Sequence, residues 1–233
     1  MSENIKKTTK AFRVDLDSSE NQSILKPSTR CSNNQAHQVN EAAEKIHKLI
    51  KNAPYSNDNI VLNHNKIKEA FFSPFKPQLK NAQVFLSHSH ADINKALEVK
   101  DYLEEYLDAE CVFIDSLFWD YKDDVLNKLA KYDDISRIED AFTLILRESL
   151  ECMIKKCPYF VFLQSKNSVS LNQDLLKITY SAWIYEELKI AHSISESRPI
   201  PMMESMQVFH DISLFLESFE TITLKKLSQQ INS

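Results

Sequence analysis

The chain of 233 residues contains no glycine. Walker loops and dinucleotide-binding fingerprints need glycine wherever backbone N–H groups approach phosphate closely or φ is positive. The absence of glycine therefore excludes both motifs in their usual forms. A bound nucleotide would have to be held by side chains and helix termini, with Asn and Asp in the tight turns.

Long apolar runs are also missing. No stretch approaches the roughly 20 residues that a membrane-spanning helix needs, and the start, MSENIKKTTK, lacks the apolar core of a signal peptide. We therefore expect a cytoplasmic protein with no membrane partner. The net charge of -5 provides no overall positive field, so we expect no nucleic-acid partner.

Cysteine is scarce and has no metal-binding spacing. Cys31, Cys111, Cys152 and Cys157 form no CxxC pair, so we expect neither a zinc site nor a disulfide framework. The three later cysteines lie in apolar segments, where a reduced thiol behaves as a small core residue.

Changes in composition divide the chain into three parts. Residues 1–35 are rich in Ser, Asn, Lys and Thr, which predicts a disordered tail. Residues 36–81 are predicted to form an amphipathic helix, over about residues 35–52, followed by a linker. That helix needs a partner surface, which another protein can supply. Residues 82–233 are predicted to form the main domain, with a C-terminal helix.

In the main domain, short apolar runs alternate with segments of helical periodicity. This alternation predicts an α/β fold, with a parallel sheet covered by helices on both faces. We expect strands at residues 83–87, 111–115 and 159–164, a short fourth strand at RPIPMM (residues 198–203), and helices over residues 91–107, 138–153 and 181–194.

The segment VFLSHSHAD, residues 84–92, places polar side chains where the first strand ends. In open α/β sheets, ligands bind beyond the carboxyl ends of the strands, so Ser87, His88 and Asp92 are candidate site residues. Adjacency in sequence argues against a Ser-His-Asp triad, whose members converge from separate segments. Capping of the next helix is the favoured role for Asp92. The roles of His88 and His90, including metal binding, stay open. Asp115 and Ser165 end the next two strands at the same edge.

In SAWIYEEL, residues 181–188, Trp183 and Glu187 are four residues apart and share one face of a helix, with Ser181 in position to cap it. The spacing alone favours a surface glutamate beside a core tryptophan. In DSLFWDYKDD, residues 115–124, Phe118 and Trp119 lie in a predicted loop. There they would stack on a flat base, form a partner-binding patch or cover the core, and the sequence does not separate these roles.

Taken in order, VFLSHSHAD, CVFID with its aromatic and acidic loop, CPYFVFLQSKNSV, SAWIYEEL and RPIPM resemble bacterial Toll/interleukin-1 receptor (TIR) domains. The resemblance covers about residues 82–205 and implies a flavodoxin-like parallel sheet. Many TIR domains cleave NAD+ to nicotinamide and an ADP-ribose product, often in antiphage defence or signalling. The resemblance thus implies an NAD+ nucleosidase that uses NAD+ as substrate and needs no cofactor or metal.

The resemblance also assigns roles to residues. Glu187 matches the catalytic glutamate of the Trp-x-x-x-Glu pattern, and Glu186 is then its solvent-facing neighbour. Trp183 and Ser181 lie on the same helix as the catalytic position. Ser87, His88 and Asp92 match the pocket-lining loop, and Asp115 matches the acid that ends the second strand. Phe118 and Trp119 match the variable loop that covers the ligand or contacts the next subunit.

TIR domains typically work as head-to-tail assemblies, so the resemblance implies a homo-oligomer formed through TIR–TIR contacts. Two departures bear on the pocket: residues 116–135 lack the usual glycine or proline turn, and residues 170–180 form an insertion before the Trp-bearing helix. The alternative functions are a non-catalytic interaction module and a sensor of an ADP-ribose-type nucleotide.

Overall fold

A computed structural model describes residues 9–27, 36–53, 55–56, 59–60, 63–72, 81–107, 112–114, 116–131, 136–171, 175–196 and 210–232. Numbered along the chain, the described strands are β1 (Lys10–Asp15), β2 (Tyr55–Ser56), β3 (Asn59–Ile60), β4 (Val84–Ser87), β5 (Val112–Ile114), β6 (Tyr159–Gln164), β7 (Ser170–Leu171), β8 (Lys177–Thr179), β9 (His210–Asp211) and β10 (Glu220–Thr221). The described helices are α1 (Ser19–Ile24), α2 (Ala36–Lys51), α3 (His64–Phe72), α4 (Ile93–Leu107), α5 (Ser116–Leu129), α6 (Ser136–Lys156), α7 (Ala182–Glu196), α8 (Ser213–Ser218) and α9 (Leu224–Ile231).

The centre of the fold is a five-stranded sheet in the order β10-β1-β6-β4-β5, with every neighbouring pair parallel. Side chains alternate between its two faces, as a pleated strand requires. In β4, Phe85 packs with one core cluster, while Val84 and Leu86 pack with the other. Helices α2, α3 and α5–α8 contribute to the first cluster, and α4 and α9 to the second. The predicted α/β class, with a parallel sheet between helices, is confirmed.

The N-terminal region differs from the predicted disordered tail. Strand β1 pairs with β6 along its whole length, from Lys10 opposite Tyr159 to Asp15 opposite Gln164. Phe12, Val14 and Leu16 are buried between the sheet and its second helical layer. The prediction is therefore wrong for residues 9–27. Three of the six residues of β1, Lys10, Arg13 and Asp15, are charged, so the strand has a low average hydrophobicity although Phe12 and Val14 lie in the core.

Strand β1 also completes the order of the sheet. Numbered by their order along the chain, the five strands are arranged 3-2-4-1-5. This order differs from the flavodoxin-like 2-1-3-4-5 that the resemblance implies, because the N-terminal strand β1 takes the place beside β6. Both sides of β6 are thus occupied, by β4 and β1. The predicted fourth strand, residues 198–203, lies outside the described residues.

Helix α2 confirms the predicted amphipathic helix but corrects its predicted partner. Ala42, Ala43 and Ile46 form its buried face, and the helix packs against α3 and α5 of the same chain. Because this apolar face is already covered, it is not free to dock another protein. The predicted linker also contains secondary structure, namely the β2–β3 hairpin and α3.

The insertion at residues 170–180 belongs to a small antiparallel sheet of order β7-β8-β9. In this ribbon, β7 and β8 lie between the end of β6 and the start of α7, and β9 follows α7 in the chain. Leu175, before β8, has a φ of 61°, in the left-handed region that non-glycine residues rarely adopt. In a chain without glycine, a leucine occupies this position.

The two described cysteines differ from each other. Cys157 is buried, and burial raises the pKa of its thiol to about 12, so it behaves as the predicted core residue. Cys152 is exposed, contrary to its prediction. Cys31 and Cys111 lie outside the described residues. Among the described helices, none has the length and apolar character to cross a membrane.

Candidate active site

The candidate site lies at the carboxyl edge of the sheet, between β4 and β6. The chain leaves β4 towards α4, on the second face, and leaves β6 towards α7, on the first face. Adjacent parallel strands whose helices diverge in this way leave a crevice beyond their carboxyl ends, where open α/β sheets bind ligands. The polar residues predicted from VFLSHSHAD and from the third strand meet at this edge.

Ser87 and Glu187 are the closest pair in the site. Ser87 is the last residue of β4 and shares its face with Phe85, so its hydroxyl points towards α7. The Ser87 hydroxyl donates a hydrogen bond of 2.5 Å to Oε2 of Glu187. Both residues are completely buried. The structure thus brings together two residues that were predicted separately.

The exposure of Glu187 reverses the expectation drawn from its spacing. Glu187 is 0 % exposed, whereas Trp183, one turn earlier, is only partly buried. The predicted surface glutamate beside a core tryptophan is therefore wrong. Glu186 is also not simply solvent-facing, because its carboxylate lies 3.3 Å from both Arg147 and Lys189. A buried carboxylate held by a hydroxyl is a group that the fold has positioned, since its burial is costly without such a partner.

Ser181 has the predicted capping role. Its hydroxyl accepts a hydrogen bond from the backbone N–H of Ile184 at 3.3 Å, and its carbonyl accepts one from Tyr185. The cap fixes the first turn of α7, one turn before Glu187. Ser181 therefore acts on the site by positioning the helix.

His88 is buried, and His90 is exposed. The Nδ1 atom of His88 donates to the carbonyl of Ser89 at 2.7 Å, which fixes the orientation of its ring. A buried ring and an exposed ring two residues apart do not converge on one ion. Among the described residues, no three His, Cys, Asp or Glu side chains are grouped so that they could hold a metal.

Asp92 has a different role from the predicted helix cap. Its Oδ2 accepts a short hydrogen bond from the Ser165 hydroxyl, and its Oδ1 accepts one of 2.8 Å from the Asn167 side chain. Asp92 is only 3 % exposed. Its carboxylate thus ties the loop after β4 to the loop after β6.

The loop after β6 is held by a compact set of serine contacts. The Ser165 backbone N–H donates to the Ser168 hydroxyl at 2.9 Å, and the Asn167 N–H donates to the Ser165 hydroxyl at 3.0 Å. Ser165 and Ser168 are buried. Ser165 therefore ends its strand at the predicted edge, while Asn167 and Ser168 add contacts that the sequence reasoning missed.

The N-terminal segment contributes Asp17 to the same edge. Its Oδ2 accepts from the backbone N–H of Lys166 at 3.0 Å, and its Oδ1 lies 3.3 Å from Nζ of Lys95. The Lys166 N–H, and then Lys95, hold the pKa of Asp17 below its ordinary value of 3.8. Asp17 was missed because its region was predicted to be disordered. The alternation of Phe12, Val14 and Leu16 with polar residues was the available signal.

The predicted positions of three other site residues are not confirmed. Asp115 lies outside the described residues. Phe118 and Trp119 lie in helix α5, so the loop predicted over residues 115–124 is wrong for residues 116–124. The segment contains neither glycine nor proline, the two residues that interrupt a helix most strongly.

No family model, curated protein or solved structure matches this chain.

Proposed function

We propose that this chain cleaves the bond between nicotinamide and ribose in NAD+, releasing nicotinamide and an ADP-ribose-type product. The observation that carries the proposal is the 2.5 Å contact between Ser87 and Glu187 at the carboxyl edge of the sheet. The motif resemblance assigns both residues to the ligand pocket. Their meeting across 100 positions of sequence supports a common site.

The chemistry requires a fixed negative charge next to the ribose. As the bond from C1′ to nicotinamide breaks, its electron pair leaves with neutral nicotinamide, and positive charge develops on the ribose ring. The Glu187 carboxylate would stabilise that charge and accept hydrogen bonds from the ribose hydroxyls. Water then attacks C1′ and loses a proton, which gives ADP-ribose. Attack by a group of the same nucleotide gives a cyclic product instead.

Burial of Glu187 adds a condition to this mechanism. Because the carboxylate is 0 % exposed and bound to Ser87, NAD+ can reach it only after the crevice between β4, β6 and α7 opens. In this arrangement the Ser87 hydroxyl holds the carboxylate in place. We propose that the described arrangement is the inactive form, and that assembly of several copies opens it. Within this proposal, the protein acts in the cytoplasm in antiphage defence or signalling.

The same burial favours a second candidate function. A carboxylate enclosed between a strand end and a helix also suits a purely structural contact, as expected for a non-catalytic interaction module. The third candidate, a sensor of ADP-ribose-type nucleotides, would use the same crevice without cleaving its ligand. Binding and turnover together separate the three candidates.

The test is ligand-observed NMR with NAD+ and with ADP-ribose, followed by chromatography of the same samples. If the chain is the proposed enzyme, NAD+ binds and nicotinamide is released. If the chain is a sensor, ADP-ribose binds and NAD+ stays intact. If the chain is an interaction module, the NMR spectra show no binding of either nucleotide. A finding that neither nucleotide binds, with the protein assembled by a crowding agent, would overturn the proposal.

A further inference from the structure

Helices α2 and α3 border an open groove that the proposed function does not use. Its volume is about 500 Å³, within the range of about 300–1,000 Å³ that ligand pockets span. None of its lining residues belongs to the candidate active site. We define the α2–α3 groove by Lys45, Lys48 and Leu49 on α2 and by Lys66, Glu69 and Ala70 on α3.

The floor of the α2–α3 groove is apolar. On each helix the three lining residues have i, i+3, i+4 spacing, which puts them on one side of the helix. Leu49 is half-buried against the first core cluster, and Ala70 is buried in it. The lining does not include Ala42, Ala43 or Ile46, so the groove is distinct from the covered apolar face of α2.

Positive charge borders this apolar floor. The lining contains three lysines and one glutamate, in a chain whose net charge is -5. Lys45 is paired with Glu41 at 2.6 Å. Lys48 and Lys66 are exposed, one on each wall, and among the described residues neither ammonium group has an acidic partner. Two ammonium groups that border the same groove repel each other, and an anionic partner relieves that repulsion.

We infer that the α2–α3 groove binds an acidic amphipathic helix of a partner protein. The surface between two packed helices accepts a third helix, whose ridges of side chains fill the groove. Aliphatic side chains on one face of the partner helix lie on Leu49 and Ala70, and the carboxylates beside them pair with Lys48 and Lys66. The charge of the partner is thus complementary to that of the groove.

Two features favour a peptide over other anionic partners. Among the described residues of α2 and α3, no large apolar side chain is exposed, whereas helices that bind membrane surfaces insert such side chains. The described lining also contains no arginine or aromatic residue, the groups that hold phosphate in a planar fork and stack on bases. The inference does not rest on the proposed NAD+ chemistry, because the groove and the candidate active site share no residue.

Fluorescence anisotropy of a labelled peptide titrated with the full chain tests the inference. The probe is a helical peptide of about four turns, with leucine on one face and glutamate on the other. The wild type is expected to bind it with a Kd on the order of tens of micromolar. A scrambled peptide of the same composition should bind at least about threefold more weakly, because it cannot place its leucines on one face.

The most informative variant reverses one charge on each wall. Lys48→Glu combined with Lys66→Glu should weaken binding of the probe about tenfold, because carboxylates then face carboxylates. Lys225→Glu combined with Lys226→Glu is the matched control, since it makes the same change in net charge on α9, which packs on the other face of the sheet. The control should keep the Kd within about twofold of wild type, because salt screens distant charges.

Thermal melting checks that both double variants are folded. Lys48→Gln combined with Lys66→Gln removes the two charges without reversing them, and it should weaken binding about threefold. This variant tests the inference if the reversed one does not fold.

Three results would overturn the inference. One is a wild type that does not bind the probe at protein concentrations up to about 500 µM. Another is equal weakening by the groove variant and by the α9 control, which would assign the effect to overall charge. The third is a wild type that ignores the peptide but binds vesicles of phosphatidylcholine and phosphatidylserine, or an oligothymidylate, which would assign the groove to a lipid surface or to nucleic acid.

Discussion

The hydroxyl of Ser87 and the carboxylate of Glu187 lie 2.5 Å apart, although 100 positions of sequence separate them. One residue ends a central strand, and the other lies on the second turn of the helix that packs over it. Because both are fully buried, the pair fixes how α7 sits on the sheet. The same contact defines the candidate site and stabilises the fold.

Replacement of Ser87 by alanine removes the donor to a buried carboxylate. We expect Ser87→Ala to lower the free energy of unfolding by about 1–3 kcal/mol, because a buried acceptor then loses a partner. Urea denaturation measures this value. Ser89→Ala is the matched control, since the Ser89 hydroxyl makes no capping hydrogen bond. Equal stability of the two variants would show that the Ser87–Glu187 bond contributes nothing.

The N-terminal strand gives a second prediction. Phe12 is 2 % exposed in the second core cluster, so Phe12→Ala should lower the free energy of unfolding by about 3–5 kcal/mol. Lys10→Ala, at an exposed position of the same strand, should change it little. Urea or thermal unfolding of the full chain measures both. If Phe12→Ala behaves like Lys10→Ala, the N-terminal segment is a dispensable tail and β1 is not part of the sheet.

The pH dependence of stability tests the contact of Asp17 with the loop after β6. The native pKa of Asp17 lies below its ordinary value of 3.8, mainly because the Lys166 N–H bonds to its charged form, with Lys95 adding to this. A lowered native pKa stabilises the folded state above the unfolded pKa, and this contribution is lost as the pH falls through the native value. Asp17→Asn should therefore be less stable than wild type at pH 7, by under about 1 kcal/mol because the pair is partly exposed.

The difference between wild type and Asp17→Asn should shrink as the pH falls below about 4. Urea titrations at several pH values measure it. Lys95→Met should produce a smaller change in the same direction, because the larger contribution comes from the Lys166 backbone. A constant difference between wild type and Asp17→Asn at all pH values would contradict the assigned cause.

Local patterns predicted the elements that carry strong periodicity. Strand β6 has the predicted bounds, and β4 and α7 begin one residue later than expected. The apolar run YFVFLQ is buried on both sides, as a central parallel strand must be. The Ser181 cap was also readable, because capping depends on residues within one turn.

The remaining features depend on contacts between distant segments. In β1, KAFRVD carries charge at every exposed position, and its place beside β6 arises only from tertiary pairing. Asp92 looks like a helix cap in sequence, yet its partners Ser165 and Asn167 lie more than 70 positions away. Burial of Glu187 likewise results from the packing of α7 on β4. Periodicity reports which face of a helix is apolar, but not whether a polar residue near that face is enclosed.

In the proposed mechanism, cleavage of NAD+ depends on the carboxylate of Glu187. Its most direct test is chromatography of NAD+ incubated with concentrated protein, with and without a crowding agent, for wild type, Glu187→Gln and the neighbouring control Glu186→Gln. Thermal melting checks that each variant is folded, and the amide introduced by Glu187→Gln retains an oxygen that can accept from Ser87. We predict nicotinamide release by wild type and by Glu186→Gln, and none by Glu187→Gln. Full release by Glu187→Gln, or no release by wild type even under crowding, would rule out the proposed role of Glu187.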